Sequence, residues 1–237
     1  MTRHVRRRIF ETAQFLFDTM DEGSLEPEGR GLRAAQKVRL LHAAIRRLVL
    51  QKGPWQSTDW GVPICQEDMA GTLMTFSCVT ADACQRMGEA WTLQQQEDWL
   101  YAWRAVGHLM GVQPTLIPVD VADGESLMAA IRRRQWAPSV HGQALAADLV
   151  EMVQGFLPSS VLADLPATMI RHLSGDLCAD VLGLPAANWT QVLVSLVADT
   201  TRFVNAFDRA MPGSLAVDRA VHALMAEVVL AEREGKQ

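Results

Sequence analysis

Apolar residues recur at spacings of three and four along almost the whole chain, and glycine and proline interrupt them repeatedly. No segment shows the strict alternation of a half-buried strand. The clearest run is 32–51, where Leu32, Ala35, Val38, Leu41, Ile45, Leu48 and Val49 form the periodic positions. Arg33, Lys37, Arg39, Arg46 and Arg47 fall at other positions, largely on the opposite side. Such a pattern predicts helix upon helix and an all-α fold, because a 3.6-residue period buries one face of a helix and cannot serve a strand.

Roughly eight to ten helices are expected by this reading. The first covers 3–20, with Val5, Ile9, Phe10, Leu16 and Phe17 mostly on one stripe, and ends in the segment from Gly23 to Gly31 that contains Pro27. The second, 32–51, stops at Gly53-Pro54. A loop through Trp55, Trp60 and Pro63 leads to a third helix from near Gln66 to about Met87. Glu67 and Asp68 lie in its first turn, where they suit the positive end of the helix dipole. Thr92 is the expected cap of a helix ending at Gly111, and Asp123 of one over 124–137. Further helical stretches follow, broken at Pro158, Pro166, Gly175, Pro185 and Pro212-Gly213, and the tail from Glu232 is expected to be solvated. One irregular multi-helix domain over 1–237 is expected, with a softer boundary between 112 and 122.

Composition removes several function classes. The net charge is −5, and charged residues make up 21% of the chain, which does not suit a generally basic nucleic-acid binder. Half of the residues, 49%, are hydrophobic, so a sizeable core can form and global disorder is not expected. Cys65, Cys78, Cys84 and Cys178 form no CxxC pair or zinc-type cluster and are expected to be small buried hydrophobes. The early arginines are followed by Glu11, Asp18, Asp21 and Glu22, which excludes an export signal, and no run is long and apolar enough to span a membrane. A cytoplasmic protein is the expectation.

Few motifs carry chemistry. Gly29-x-Gly31-x-x-Ala34 matches a dinucleotide fingerprint in letters only, because no strand precedes it; a loop and helix entry is expected there. Gly107 and Gly111 can allow close helix packing, although Gly111 more simply ends its helix. His108, His141, His172 and His222 are scattered, and no nucleophile elbow, HExxH or phosphate loop is present. His42 stands apart. It lies mid-helix beside the stripe of Val38, Leu41, Ile45 and Val49, where an imidazole must satisfy its nitrogens. Two readings are open: a satisfied core histidine, or a ligand to haem iron. Arg8 and Thr12 share a face at i, i+4, with Glu11 beside them. They can form a polar pair for a small ligand, or be an exposed arginine and a threonine bonded to its own helix.

Read together, four segments resemble the haem-b oxygenases related to latex-clearing protein and MpaB. They are Arg8-Ile-Phe-Glu-Thr12; Gly29 to Arg46, including His42; Trp60-Gly-Val-Pro-Ile-Cys-Gln-Glu-Asp-Met-Ala-Gly-Thr-Leu-Met-Thr-Phe76; and Trp103-Arg-Ala-Val-Gly-His-Leu-Met-Gly-Val112. Their order and spacing match over roughly 5–115; the later helices carry no motif that aligns firmly.

The resemblance implies a globin-like helical core holding haem b, with His42 as the axial ligand to iron. Arg8 and Thr12 become the distal polar pair. The implied activity is oxidative cleavage of a carbon–carbon double bond, with O2 and an apolar, isoprenoid-like alkene as partners. Glu11 stands where the latex-clearing branch has a lysine, and its carboxylate is a candidate base. The family's usual long helical region before the Arg–Thr helix is expected to be missing, since the chain starts almost at that helix. A haem- or ligand-binding module without turnover is the alternative function, and a helical interaction protein that has lost haem is a third.

Overall fold

Gly and Pro set the boundaries of the helices in the computed structural model, which describes residues 2–157, 162–186 and 188–210, with side chains from residue 5 to residue 202 of that set. The breaks expected at Pro158 and Pro212-Gly213, the tail from Glu232, and His222 lie outside the described residues. Among the described residues every regular element is helical. The α-helices are α1 (Thr2–Met20), α2 (Arg30–Lys52), α3 (Ser57–Trp60), α4 (Gln66–Met74), α5 (Thr80–Arg86), α6 (Leu93–Met110), α7 (Val121–Gln135), α8 (Val140–Gln154), α9 (Leu165–Ser174), α10 (Asp176–Val181) and α11 (Thr190–Ala210). A π-helical turn, Thr75–Val79, runs α4 into α5, so the described chain forms ten α-helical stretches. None of the described helices is long and apolar enough to cross a membrane.

Several boundaries follow from local chemistry. Thr92 caps α6: its hydroxyl accepts from Gln95 N, and the Gln95 side chain answers the Thr92 backbone. Gly111 ends that helix at φ +85°, a left-handed conformation that costs glycine little. For α7 the cap expected at Asp123 is in fact Asp120. Its carboxylate accepts from Asp123 N, while the Asp123 carboxylate reaches past the cap to accept from Val119 N. A run of Asp at i and i+3 leaves the sequence ambiguous by one turn.

The π-turn was not legible in the periodicity. Three hydroxyls accompany it: Thr75 Oγ1 donates to Gly71 O, Ser77 Oγ to Leu73 O and Thr80 Oγ1 to Thr75 O. One extra residue in a helical turn rotates all that follows by about 100°. The faces of α4 and α5 therefore do not continue one another.

The described residues fall into two compact units. The unit that holds α2, α3, α4, α6 and α7 comprises Phe15–Thr80 and Thr92–Gln135. Its core is built from α4, α6 and α7, which bury Ala70, Leu73 and Met74; Leu100, Trp103 and Val106; and Val121, Met128 and Ile131. Ala70 to Leu73 and Met74, Leu100 to Trp103 to Val106, and Val121 to Met128 to Ile131 run at three, four or seven residues, spacings that keep to one helix face. Two glycines let the helices close up. A Cβ on Gly107 would lie 2.7 Å from Leu73 Cδ2, and one on Gly124 2.7 Å from Cys78 Sγ. Gly107 thus serves packing and Gly111 termination. Phe76 stacks on Trp103 at 4.9 Å between ring centroids, and the Trp99 indole donates to Phe76 O at 2.9 Å.

The other unit comprises the described residues of Met1–Gln14, Ala81–Trp91 and Trp136–Gln237. Ala146, Ala167, Ala179 and Leu184 form its core, flanked by Val150, Ile170 and Leu182. Small side chains there let α8, α9 and α10 approach closely. Arg171 of α9 is buried against the loop after α10: Nε donates to Pro185 O, Nη2 to Leu184 O and Asp180, and Nη1 to Asp176. A polar chain runs beside it. Thr190 Oγ1 donates to Asn188 Oδ1, which leaves Thr168 Oγ1 as the donor in its 2.6 Å bond to Thr190.

Candidate functional site

The candidate residues occur in two places, one in each unit. Arg8, Glu11 and Thr12 lie on α1 within the unit that contains α8–α11, and His42 lies on α2 in the other.

On α1 the three polar residues form neighbouring rows one turn apart. Thr12 Oγ1 donates to Arg8 O at 2.8 Å, so its single proton is committed to its own helix and its lone pairs face outward as acceptors. The Arg8 side chain is exposed. Glu11 pairs with Arg7, Nε to Oε1 at 2.7 Å, rather than with Arg8. Both groups of that pair are largely in water, where such a bond is weak and readily exchanged. The α1 face therefore offers an unburied guanidinium, a hydroxyl acceptor and a carboxylate held by a solvent-screened partner.

α2 differs from its sequence expectation in an informative way. Ala35, Arg39, His42 and Arg46 follow at spacings of four, three and four, so they form one line along the helix. This line, not the apolar stripe, is where α2 is tied to the rest of its unit. Ala35 is fully buried. Arg39 donates to Leu109 O at 3.3 Å and lies over Gly111, its guanidinium carbon 3.1 Å from where a Cβ would stand. Arg46 forks onto the loop before α4, Nε to Pro63 O at 3.0 Å and Nη2 to Ile64 O at 2.5 Å. Ile64 has φ +53°, rare for a β-branched residue, and the guanidinium fork holds its carbonyl. The expectation of a solvent-side arginine is corrected for Arg46, which is half-buried and donates to two backbone carbonyls; Arg39 is exposed as expected, yet its guanidinium still reaches one carbonyl, Leu109 O. Arg33, Lys37 and Arg47 are exposed as expected.

The apolar stripe lies about a quarter-turn away. Val38, Ile45 and Val49 are half-buried, while Leu41 is 46% and Leu48 54% exposed. His42, half-buried, sits at the border between the tethered line and this apolar surface. An imidazole there is of the chemical type that ligates iron and has an apolar wall beside it, the two things that a flat, largely hydrophobic iron macrocycle requires. The residues present thus fit haem.

Gln66 braces the end of α6 that Arg39 meets. Its side chain accepts from Gln113 N and donates to Gly111 O, joining the start of α4 to the end of α6. Neither Gln66 nor the two arginines stood out in the sequence. The one available signal was their register, an arginine at three before and four after the candidate histidine. Of the other expected features, Gly29-x-Gly31 is indeed a loop and helix entry. A Cβ on Gly29 would meet Ser24 O at 2.0 Å and one on Gly31 would meet Asp18 O at 2.5 Å. Cys65, Cys78, Cys84 and Cys178 are all free thiols, of which only Cys78 is buried. Among the described residues no three His, Cys, Asp or Glu side chains cluster as a metal cage, so any metal would have to arrive with a ligand of its own or bind through fewer protein donors.

Comparison with known proteins adds a family. The catalytic domain shared by the ER-bound oxygenases mpaB/B' and rubber oxygenase matches residues 1–206. The rubber oxygenase of Streptomyces sp. (strain K30) is 27% identical over 184 residues, which are 76% of this chain and 44% of that protein. The structure of latex clearing protein LCP in the closed state shares the fold, with a TM-score of 0.73 and 23% identity over 95% of this chain and 61% of that one. This chain thus spans about half the length of the rubber oxygenase it matches. With the model matched over most of its length, and with the same all-helical fold, the chain belongs to the family of the mpaB and rubber oxygenase catalytic domain.

Proposed function

We propose that this protein is a haem-b-dependent oxygenase that uses O2 to cleave a carbon–carbon double bond in an unsaturated, isoprenoid-like apolar substrate. The observation that carries the reading is His42: a half-buried imidazole on a helix tethered at both ends of its tethered line, beside an apolar wall of Val38, Leu41 and Ile45. Family membership supports it, because the matching proteins are oxygenases by name. Haem, when bound, supplies the redox chemistry toward dioxygen that no amino-acid side chain provides.

The chain's own residues then have distinct tasks. His42 would hold the iron through a ring nitrogen, and the apolar wall of α2 would lie against the macrocycle and keep water from it. On α1, Arg8 and Thr12 would serve as polar groups for a small ligand: the guanidinium could stabilise negative charge, and the Thr12 hydroxyl could accept a hydrogen bond or, turned from Arg8 O, donate one. Glu11 is the base, able to accept a proton at a carboxylate oxygen once it leaves Arg7. The protein acts on O2 and an apolar alkene, and its place of action is proposed to be the cytoplasm.

A second reading is favoured by one observation, the engagement of Glu11 by Arg7 and of Thr12 by its own helix. It makes the protein a haem- or ligand-binding module without turnover. Absorption spectroscopy of the haem-supplemented protein beside His42→Ala separates the possibilities. A Soret band at one haem per chain, absent from a folded His42→Ala, supports ligation by His42, and a well-folded but colourless wild type sinks it. Product formation from a polyunsaturated isoprenoid under O2, abolished in folded Glu11→Gln, supports the oxygenase. Haem binding with no product in any variant favours the module.

A further inference from the structure

Three features outside the expected site are the strongest candidates for a role: the buried Trp103 indole in the aromatic cluster, the Arg171 network, and the pair of arginines on α2. Trp103 Nε1 is buried without a hydrogen-bond partner, but nothing around it indicates a ligand. The Arg171 side chain satisfies backbone carbonyls and is explained by the fold. The α2 arginines go further, because their register is locked to His42.

We propose that Arg39 and Arg46 are positioning residues that fix the rotation and axial setting of α2, and with them the direction in which His42 presents its ring. The inference rests on His42 being the axial ligand proposed above. A side-chain hold off the helix axis opposes rotation about that axis, and a second hold on the same line opposes tilt and sliding as well. Arg39 stands three residues before His42 and Arg46 four after it, all on one line. The two holds are about 10 Å apart at the helical rise of 1.5 Å per residue. A side-chain tip lies about 5 Å from a helix axis, so a rotation of about 20° would displace the ring by nearly 2 Å. That exceeds the tolerance of a metal–nitrogen bond several-fold.

The anchor points are themselves tied together. Arg39 holds Leu109 O at the end of α6, Gln66 holds Gly111 O and Gln113 N just beyond it, and Arg46 holds Pro63 O and Ile64 O just before Gln66. The hydrogen bonds thus close a ring from α2 through the end of α6 and the start of α4 back to α2. Arginine suits both sites because its planar fork bridges two acceptors, or lies flat on glycine, where a lysine ammonium is a point charge. At Gly111 the arrangement also needs the missing Cβ, since one would sit 3.1 Å from the guanidinium.

The test uses the full chain labelled with 15N-histidine, with and without haem, as wild type, Arg39→Gln, Arg46→Gln, Arg46→Lys and the exposed control Arg47→Gln. In the haem-free protein the His42 ring signal, identified by its loss in His42→Ala, is expected to shift and broaden in both glutamine variants and to be unchanged in Arg47→Gln. In the haem-loaded protein the iron–histidine stretching band of the ferrous form is expected to move. Haem dissociation should quicken by about 10- to 100-fold, the usual effect of losing a group that orients a metal ligand. Arg46→Lys should not restore either signature. Glutamine variants that remain folded, with a wild-type ring signal and a wild-type iron–histidine band, would overturn the proposal. A wild type that folds but takes up no haem defeats the ligand reading instead, and the haem-free ring signal then still decides whether the arginines position His42.

Discussion

Replacing Arg171 with methionine removes a guanidinium while keeping most of the apolar stem. The Arg171 side chain is only 8% exposed, and it donates four hydrogen bonds, two to backbone carbonyls and two to carboxylates. These bonds are unequal. Leu184 O is buried, and losing its donor carries the desolvation penalty of an unsatisfied carbonyl, about 1–3 kcal/mol. Pro185 O is less enclosed and can recruit water, so its loss costs about 1 kcal/mol. Asp176 and Asp180 are 84% and 67% exposed at the side chain, and each contact contributes at most about 1 kcal/mol after screening. The sum is about 2–6 kcal/mol for Arg171→Met, or roughly 10 °C in melting temperature for a chain of this size. Asp176→Asn and Asp180→Asn should each lose about 1 kcal/mol or less. The two carboxylates raise the guanidinium's pKa further above its ordinary value, Asp180 contributing most. A raised pKa lends stability that persists below the unfolded value and fades only above the folded one. Both lie beyond the accessible range, so the arginine's contribution is flat across about pH 6–9. Urea melts of the three variants with and without added salt provide the assay. If Asp180→Asn costs as much as Arg171→Met, or if salt removes the difference between Arg171→Met and wild type, the ion pairs carry the effect and the assignment to the buried carbonyls fails.

Two further substitutions follow from the same reasoning. Gly88→Ala should destabilise by about 2–5 kcal/mol, because φ is +92° and the new Cβ would lie 2.2 Å from Ala198 O, an unyielding backbone atom. Gly107→Ala should cost less, since its nearest neighbour is the movable end of Leu73; equal losses in thermal melts would refute the distinction. Cys84 should lend stability that falls on the alkaline side. Burial first, and the Glu89 carboxylate second, raise its thiol pKa above the usual value. The folded protein therefore keeps the proton that the unfolded chain releases, and the gain, full below the unfolded pKa, disappears as pH rises through the folded one. Cys84→Ala should flatten the alkaline decline in urea midpoint, and wild-type Cys84 should alkylate slowly at pH values where a free thiol reacts; a fast reaction would contradict the shift.

Local chemistry was legible from the amino acids alone. The 3.6-residue period, the Thr92 cap, the stop at Gly53-Pro54 and the left-handed end at Gly111 are decided within a turn or two of chain. The all-helical class followed from them, and the spacing of Arg8, Thr12 and His42 within four ordered segments carried the resemblance to a family that the chain proves to belong to. What the sequence could not display were interactions whose partners lie far along the chain. Arg39 and Arg46 looked like solvent residues because a charge off the apolar stripe usually is one. Only the approach of Pro63 O and Ile64 O, carbonyls in need of donors, drew Arg46 inward, and only that of Leu109 O gave the exposed Arg39 a partner on another helix. The π-turn was equally hidden, since one extra residue inside a helix leaves composition and mean spacing almost unchanged while rotating everything downstream. Periodicity reports which residues share a face; the tertiary structure decides which face is used, because that depends on the unsatisfied groups that other elements bring to it.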